Sequence, residues 1–301
     1  MAIPSALYSI GVPIKTCLRG PGCAAGVDHR AWKGINAMNT QDILDHMISN
    51  SSWVNPEKTV DTIKYGDGKK AIKKVAVCWY PSIKTIQSAI DTKCDLLITH
   101  EPTWWDHFDN PGGWREKGPG LKKTHLLEAS GLVVARLHDT WDNWPQIGIR
   151  DTFAKGLGLD TFLAEDKTRW HGMYEIPEQT LSSFAKYVAR KVTPLGQDTV
   201  QVIGDPDMIV HRPSIGVGCG GPHEDMIELG SDVLIMCFDG ASYWSARERF
   251  AEQGVGVITL EHGTTEMWGM ESMADYIQNT WIELDVHYLD KHWKAWHANA
   301  D

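Results

Sequence analysis

Apolar and polar positions along this chain switch repeatedly between a helical and an extended rhythm. From Asn39, a capping residue, residues 40–49 place apolar side chains at helical spacing and predict a first amphipathic helix. Residues 59–65 and 73–80 read as strands around Gly66 and Gly68, whose turn geometry predicts a hairpin. Pro81 then opens a helix with Ile83, Ile86 and Ile90 on one face, and the apolar run 95–99 follows as a buried strand. The unit recurs as a polar loop 101–120, a helix 121–130, a strand 132–138, a loop to 146 and a helix 147–159.

Residues 165–212 change character, with alternation over 169–176, a helix over 179–192 and strands over 198–204 and 208–211. The earlier rhythm resumes with strands at 214–221, 232–238, 255–261 and 281–289, interleaved with helices at 223–230, 242–254 and 270–280. Strands alternating with helices of this length predict an α/β protein of two related lobes, mixed sheets flanked by helices. The expected organisation is an N-terminal arm over 1–38, a first lobe over 39–164, a joining segment over 165–212 and a second lobe over 213–301. The arm carries Pro4, Pro13, Pro21 and five glycines without periodicity, so it reads as an extended segment lying on the body or on a neighbouring subunit. Residues 291–301 read as a short surface helix or tail.

Charge narrows the functional classes. Lys and Arg number 29 against 39 Asp and Glu, a net charge of −10 that offers no footing for a nucleic-acid backbone or an anionic membrane. No apolar run reaches the ~18 residues of a membrane helix, and Pro4, Gly11 and Pro13 break the N-terminal stretch as a signal peptide, so a cytoplasmic location is expected. The cysteines Cys17, Cys23, Cys78, Cys94, Cys219 and Cys237 form no CxxC pair; Cys17 and Cys23 in the arm read as a surface loop, with a metal or disulfide site as the alternative.

In open α/β sheets ligands gather beyond the carboxyl ends of strands, and three strand runs here end in histidine. His100-Glu101 follows the first, His138-Asp139 with Asp142 the second, and His262 with Glu266 the third. His followed four residues later by an acid also occurs at His171/Glu175 and His297/Asp301, but only the pairs at 138 and 262 lie between a buried strand and a helix. Three imidazoles and several carboxylates on one edge exceed a single tetrahedral site and suit two divalent ions, Zn, Mn or Fe. Glu101 reads either as a ligand that adds negative charge or as a carboxylate moving protons beside a metal-bound water; Asp139 and Glu261 read as partners that orient an imidazole, Asp139 also as a catalytic candidate. Of 14 tryptophans, Trp104, Trp105 and Trp114 follow His100, Trp141 and Trp144 surround Asp142, and Trp268 follows Glu266. Trp104, Trp105, Trp141, Trp144 and Trp268, with His107, are therefore the expected walls of a substrate pocket, unless these indoles pack lobe against lobe.

The segments CDLLITHEP, LHDTWD with IGIRDTFAKGLGL, VGCGGP with DVLIMCFDGASYW, and ITLEHGTTE with MESMADYI together resemble the NIF3-like (DUF34) family, whose members are also called GTP cyclohydrolase 1 type 2 homologues. The resemblance spans about residues 39–288 and implies a dinuclear metal site between two α/β lobes within a toroidal hexamer. It carries metal-binding positions onto His100, His138, Asp142, His262 and Glu266. Two positions depart: Glu101 stands where the family has a second histidine, and Glu261 where its GHxxxE motif begins with glycine. Its usual aromatic-histidine pair is Tyr243-Trp244 here.

Gly216, Gly218, Gly220 and Gly221 before a helix are a weaker anion-binding signal, with no Walker lysine, dinucleotide fingerprint or nucleophile elbow nearby. The leading expectation is a hydrolase in which two ions activate water against a C–N bond of a small cyclic or aromatic substrate. The alternatives are a metal carrier or regulator without catalysis, and a nucleotide cyclohydrolase.

Overall fold

Sheet order shows how the termini of the fold meet. The computed structural model describes residues 37–301 except 217, 219–222, 242, 243, 291, 293, 297 and 299–301, and residues 37–301 form one compact unit. The expected arm, with Cys17 and Cys23, therefore falls outside the described residues apart from its last two, as do Cys219, Gly220, Gly221, Tyr243, His297 and Asp301.

The chain begins with α1 (Thr40–Ser49), started by a capping box in which the Asn39 side chain accepts from the Asp42 amide and the Asp42 carboxylate accepts from the Asn39 amide. A first sheet contains β1 (Ile63–Tyr65), β2 (Lys74–Cys78), β3 (Leu96–Thr99) and β4 (Val133–Arg136), with α2 (Ile83–Asp91) and α3 (Gly118–Ser130) between them. After β4 come α4 (Asp139–Asp142) and α5 (Ile149–Leu157). A second sheet takes in β5 (Thr161–Glu165) and β6 (His171–Glu175), and β7 (Gln179–Thr180) leads into α6 (Leu181–Val192). There follow β8 (Gln201–Ile203), β9 (Ile209–Val210), β10 (Pro213–Gly216), α7 (His223–Glu228), β11 (Val233–Cys237), α8 (Trp244–Glu252), β12 (Gly256–Leu260), α9 (His262–Thr280) and β13 (Asp285–Leu289).

The first sheet has the order β1-β4-β3-β2-β13 and the second β5-β6-β10-β11-β12-β8, while β7 and β9 pair by themselves. This is the mixed α/β architecture expected, but two local expectations fail. Residues 59–65 and 73–80 form no hairpin: β1 pairs antiparallel with β4, and β2 lies between β3 and β13, parallel to both. The reason is burial, since Val75 to Cys78 are all interior and need neighbours on both sides, whereas β1 is only half-buried and suits an edge. The lobes also divide differently. β6, expected in a joining segment, is an inner strand of the second sheet, and β13, expected in the second lobe, completes the first.

Alternation along the strands buries both faces of each sheet. In the first, Val75, Val77, Leu96, Ile98 and Val133 pack with Ile43 of α1 and Met270 and Met273 of α9, while Ala76, Leu97 and Val134 pack with Ile86 of α2 and Leu127 of α3. In the second, Ile215, Ile235 and Ile258 meet Phe153 of α5 and Phe184 of α6, and Leu234, Met236 and Val257 meet Met226 of α7 and Phe250 of α8. No helix among the described residues is long and apolar enough to cross a membrane.

The nineteen-residue α9 begins eight positions before the helix expected over 270–280. Its first half holds Gly263, Thr264, Thr265 and Gly269, weak helix formers whose small size serves packing instead. A Cβ at Gly263 would meet the Trp79 ring at 2.9 Å, and one at Gly269 would meet Ile149 Cδ1 at 2.5 Å. Glycine there lets α9 press against the body and fixes where its first turn points.

Candidate metal centre

Adjacent parallel strands β3 and β4 end side by side, so His100 and His138 leave the sheet together and their rings stack at 4.5 Å between centroids. From the second sheet, β12 ends at Leu260, Glu261 is the extended N-cap, and His262 is the first residue of α9. The spacing of four then puts Glu266 one turn on, on the same helix face as His262.

These side chains converge. His100 Nε2 lies 3.4 Å from Asp142 Oδ1 and 3.5 Å from Glu266 Oε2; His262 Nε2 lies 3.1 Å from Glu266 Oε1 and 3.3 Å from Glu101 Oε1. His138 Nδ1 is 3.4 Å from Asp142 Oδ2. Two ligand-atom groups, His100/Glu101/His138 and Glu101/His262/Glu266, each fall within 4.8 Å.

The outer nitrogens are held by acceptors. His100 Nδ1 donates to the Leu137 carbonyl at 3.2 Å, since a carbonyl only accepts, and this leaves Nε2 as the nitrogen that faces the centre. His262 Nδ1 meets Asp239 Oδ2 at 2.7 Å. Asp139 has both oxygens engaged, Oδ1 by His138 Nδ1 at 2.9 Å and Oδ2 by the Thr59 hydroxyl at 2.8 Å and the Val60 amide at 3.2 Å. It therefore positions His138 and is not free to act on a water. Such acceptors behind imidazoles are what metal-binding histidines carry. His100 Nε2 and Asp142 Oδ1 are buried, face each other and have no hydrogen-bond partner, an arrangement whose cost a bound cation removes. The donor set fits a divalent ion.

Charge pairing runs through the cluster. Burial would raise the Glu266 carboxyl, but His262 and His100 outweigh it and hold it at about 2. Burial would lower His138, yet Asp142 and Asp139 lift it to about 9; His262 is raised in the same way, against burial, by Glu266 and Asp239. Without a cation, protons on His138 and His262 offset the carboxylates, and a metal would displace them.

Several supporting residues escaped the motif reading. Buried Asp61 accepts the amides of His138 (2.7 Å), Asp139 (3.0 Å) and Thr140 (2.8 Å), fixing the turn that aims the second motif. Fully buried Arg136 donates to the His100 carbonyl at 2.6 Å and to the His107 carbonyl at 2.5 Å, with Glu101 Oε2 3.8 Å away. The Trp79 indole donates to Glu266 Oε2 at 2.6 Å. Asp239 and Trp79 follow strand ends, and Arg136 is a charge inside an apolar run; those signals were visible, whereas nothing marked Asp61. Asp239, expected of no role, is the carboxylate at His262 Nδ1 that Glu261 was expected to supply. Cys237 lies near Asp239 and His262, but burial pushes its thiol up to about 12 and it donates to the Gly218 carbonyl.

The tryptophans divide sharply. Trp104 and Trp141 are core residues, the Trp141 indole donating to the Gly269 carbonyl at 2.7 Å. Trp144 packs on Trp141 and Tyr276, and Trp268 on Phe153. Of the expected pocket walls only Trp105 lines the cavity over Glu101 and His262, about 580 Å³, where Trp79 and Tyr80 are the other large rings; Trp114 is exposed at the rim of its loop, with its ring 6.1 Å from that of Trp105. His107 lines a different cavity, on the His138 side.

Residues 39–292 match the family described as Duf34/NIF3 (NGG1p interacting factor 3). The chain belongs to this family. It is 24% identical over 231 residues to a protein of Neisseria meningitidis serogroup B, covering 75% of this chain and 86% of that one, and 22% identical over 213 residues to one of Deinococcus radiodurans, covering 70% and 78%; both are named GTP cyclohydrolase 1 type 2 homolog. Its fold is similar to that of a Bacillus cereus protein related to NIF3, with a TM-score of 0.74 at 12% identity over 88% of this chain and 100% of that one. A Staphylococcus aureus hypothetical protein superposes with a TM-score of 0.70 at 18% identity, again over 88% and 100%.

Proposed function

We propose that this member of the Duf34/NIF3 family is a metal-dependent hydrolase that holds two divalent transition-metal ions, Zn, Mn or Fe, between its sheets and cleaves a C–N bond of a small cyclic or aromatic substrate. The observation that carries the reading is Glu266, whose two oxygens face different imidazoles, Oε2 toward His100 and Oε1 toward His262. A carboxylate set between an imidazole of the first sheet and one at the end of the second would be shared by two ions held there. His100, His138 and Asp142 would hold one ion, and His262 with Glu101 the other.

Bound ions of this kind lower the pKa of water and polarise an electrophilic carbon's substituent. The protein's own residues supply the rest. Asp239, Asp139 and the Leu137 carbonyl orient the imidazoles. Glu101 lines the 580 Å³ cavity, and if it is not a ligand it is instead the carboxylate that would take a proton from the attacking water and return it to the departing nitrogen. Trp79, Tyr80 and Trp105 supply the flat apolar wall for a ring. The names of the curated relatives favour a particular case, ring opening of a purine nucleotide, which is itself C–N hydrolysis. We also propose a homo-oligomer, the hexamer that the family resemblance implies, to be tested by sedimentation.

The test is elemental analysis of protein purified without chelator, followed by incubation with cyclic imides, lactams, purines, pyrimidines and GTP, read by mass spectrometry for gain of water or loss of ammonia. About two ions per chain and one converted class are expected. Metal held without turnover, and surrendered to an apo-protein acceptor, would favour a carrier.

A further inference from the structure

A second cavity, about 620 Å³, reaches the centre from the His138 side, and its described lining shares no residue with the cavity over Glu101 and His262. The two differ in charge. The first carries Glu101, Asp239 and Glu261, with Lys294 paired to Asp290 at 2.9 Å. The second carries Lys58, Lys167 and Arg169 around a floor of His138, Asp139 and Asp142. Of the floor carboxylates, Asp139 is engaged by His138, Thr59 and Val60, while Asp142 lies 3.4 Å from both His138 and His100. Among the described residues neither Lys58 nor Lys167 forms an ion pair, and Arg169 has one contact at 3.5 Å, to Glu165 outside the cavity.

Two indoles stand in the same wall and are fixed there. Trp53 donates to the Asp139 carbonyl at 3.1 Å, and the Arg169 guanidinium lies 5.9 Å above its ring. With the Asn143 amide turned so that its oxygen and nitrogen both find partners, the oxygen accepts from the Trp170 indole at 3.3 Å and the nitrogen donates to the Arg169 carbonyl at 2.7 Å. Arg169 has a left-handed backbone, φ 64°, in a loop pinned by Asp166 through the amides of Thr168 and His171. A non-glycine residue held in that region marks a loop constrained to present its side chains in one direction. Arg169 Nε is the atom 3.5 Å from Glu165 Oε1 and makes no hydrogen bond.

We propose that this cavity binds an anionic aromatic ligand, its ring against Trp53 and Trp170 and its carboxylate or phosphate among Lys58, Lys167 and Arg169. Cations beside π faces suit a ring and an anion in one molecule, and the site's entrance leads the ligand toward His138 and Asp142. That it delivers a substrate rests on the hydrolase reading above; that it binds the anion does not.

The experiment uses the full chain with its metal content measured. Phenyl phosphate and nicotinate are titrated by calorimetry and tryptophan fluorescence against their neutral counterparts phenol and nicotinamide, with inorganic phosphate alone as a further arm. One or both aromatic anions should bind at least about tenfold more tightly than the neutral partner, an advantage that falls at high salt as surface charge is screened. Lys58→Met with Lys167→Met should remove most of that advantage, Trp170→Leu should weaken both probes, and Lys294→Met in the other cavity should leave them unchanged. The preferred probe separates phosphate from carboxylate. Equal binding of charged and neutral probes, or affinity unchanged in the double lysine variant, overturns the proposal. Anion binding to protein that takes up no metal would sink the hydrolase reading and leave this site standing; full metal content without anion binding would do the reverse.

Discussion

The Trp79 indole nitrogen donates to Glu266 Oε2 at 2.6 Å, the same oxygen that faces His100 Nε2. Trp79 follows β2 of the first sheet and Glu266 lies on the first turns of α9, so this bond ties the helix carrying one half of the centre to the sheet carrying the other. Gly263 makes it possible by letting the indole lie against the helix.

Trp79→Phe keeps the ring and deletes the donor. Partners behind a ligand commonly contribute 10- to 100-fold in metal affinity, so competition titration with a chromophoric chelator should show roughly a tenfold loss. Circular dichroism should be unchanged.

Asp61 makes a different kind of contribution. It satisfies three consecutive amides at the entry to α4 from a fully interior position. Asp61→Ala strands those three donors and should cost at least about 3 kcal/mol, since each buried unsatisfied group costs about 1–3. Urea unfolding checks the loss. A variant as stable as wild type would mean that water replaces the carboxylate.

Lys123 gives a pH signature that belongs to the fold. Its ammonium is buried, donating to Thr103 O at 2.7 Å and Tyr80 Oη at 3.0 Å, and burial pulls it down to about 7. Between that value and the ordinary lysine range the unfolded chain binds more protons than the folded one, so stability from this group rises with pH. Below about pH 7 the full cost of burying the charge is present. The stability of wild type relative to Lys123→Met should therefore increase from pH 7 to 10 and stay flat from 5 to 6.5, as read from urea midpoints. A flat difference throughout would show that the lysine stays charged in the folded protein.

How much of this was legible depended on whether a signal was local. The convergence of His100, His138, Asp142, His262 and Glu266 was legible because apolar runs mark strands and the polar residues that follow them sit on the carboxyl edge. The indoles were misplaced because nearness in sequence does not give direction. Trp268 is two residues beyond Glu266 on α9, and at 100° per residue it faces about 200° away, into Phe153. Trp141, one position before Asp142, points into the core for the same reason. Strand partners were illegible for another: β13 pairs with β2 across some two hundred residues, and nothing in either run specifies that partner.

Glu101 stands where the sequence resemblance implies a second histidine, and its position sharpens the consequence. Oε1 lies 3.3 Å from His262 Nε2, within one of the ligand-atom groups, while Oε2 is 3.8 Å from the Arg136 guanidinium. As a ligand it adds an anion to a site already holding Asp142 and Glu266, favouring harder ions such as Mn or Fe; a neutral imidazole in its place favours Zn. Glu101→His should thus shift selectivity toward Zn by roughly tenfold or more, about 1.4 kcal/mol, in a competition titration of Zn against Mn. Glu101→Gln separates charge from geometry, because it keeps the shape and one oxygen donor while removing the anion. If both variants bind Zn and Mn in the wild-type ratio, Glu101 is not a ligand. Its role at the cavity would then be proton transfer alone, and the loss should appear in turnover with metal content intact.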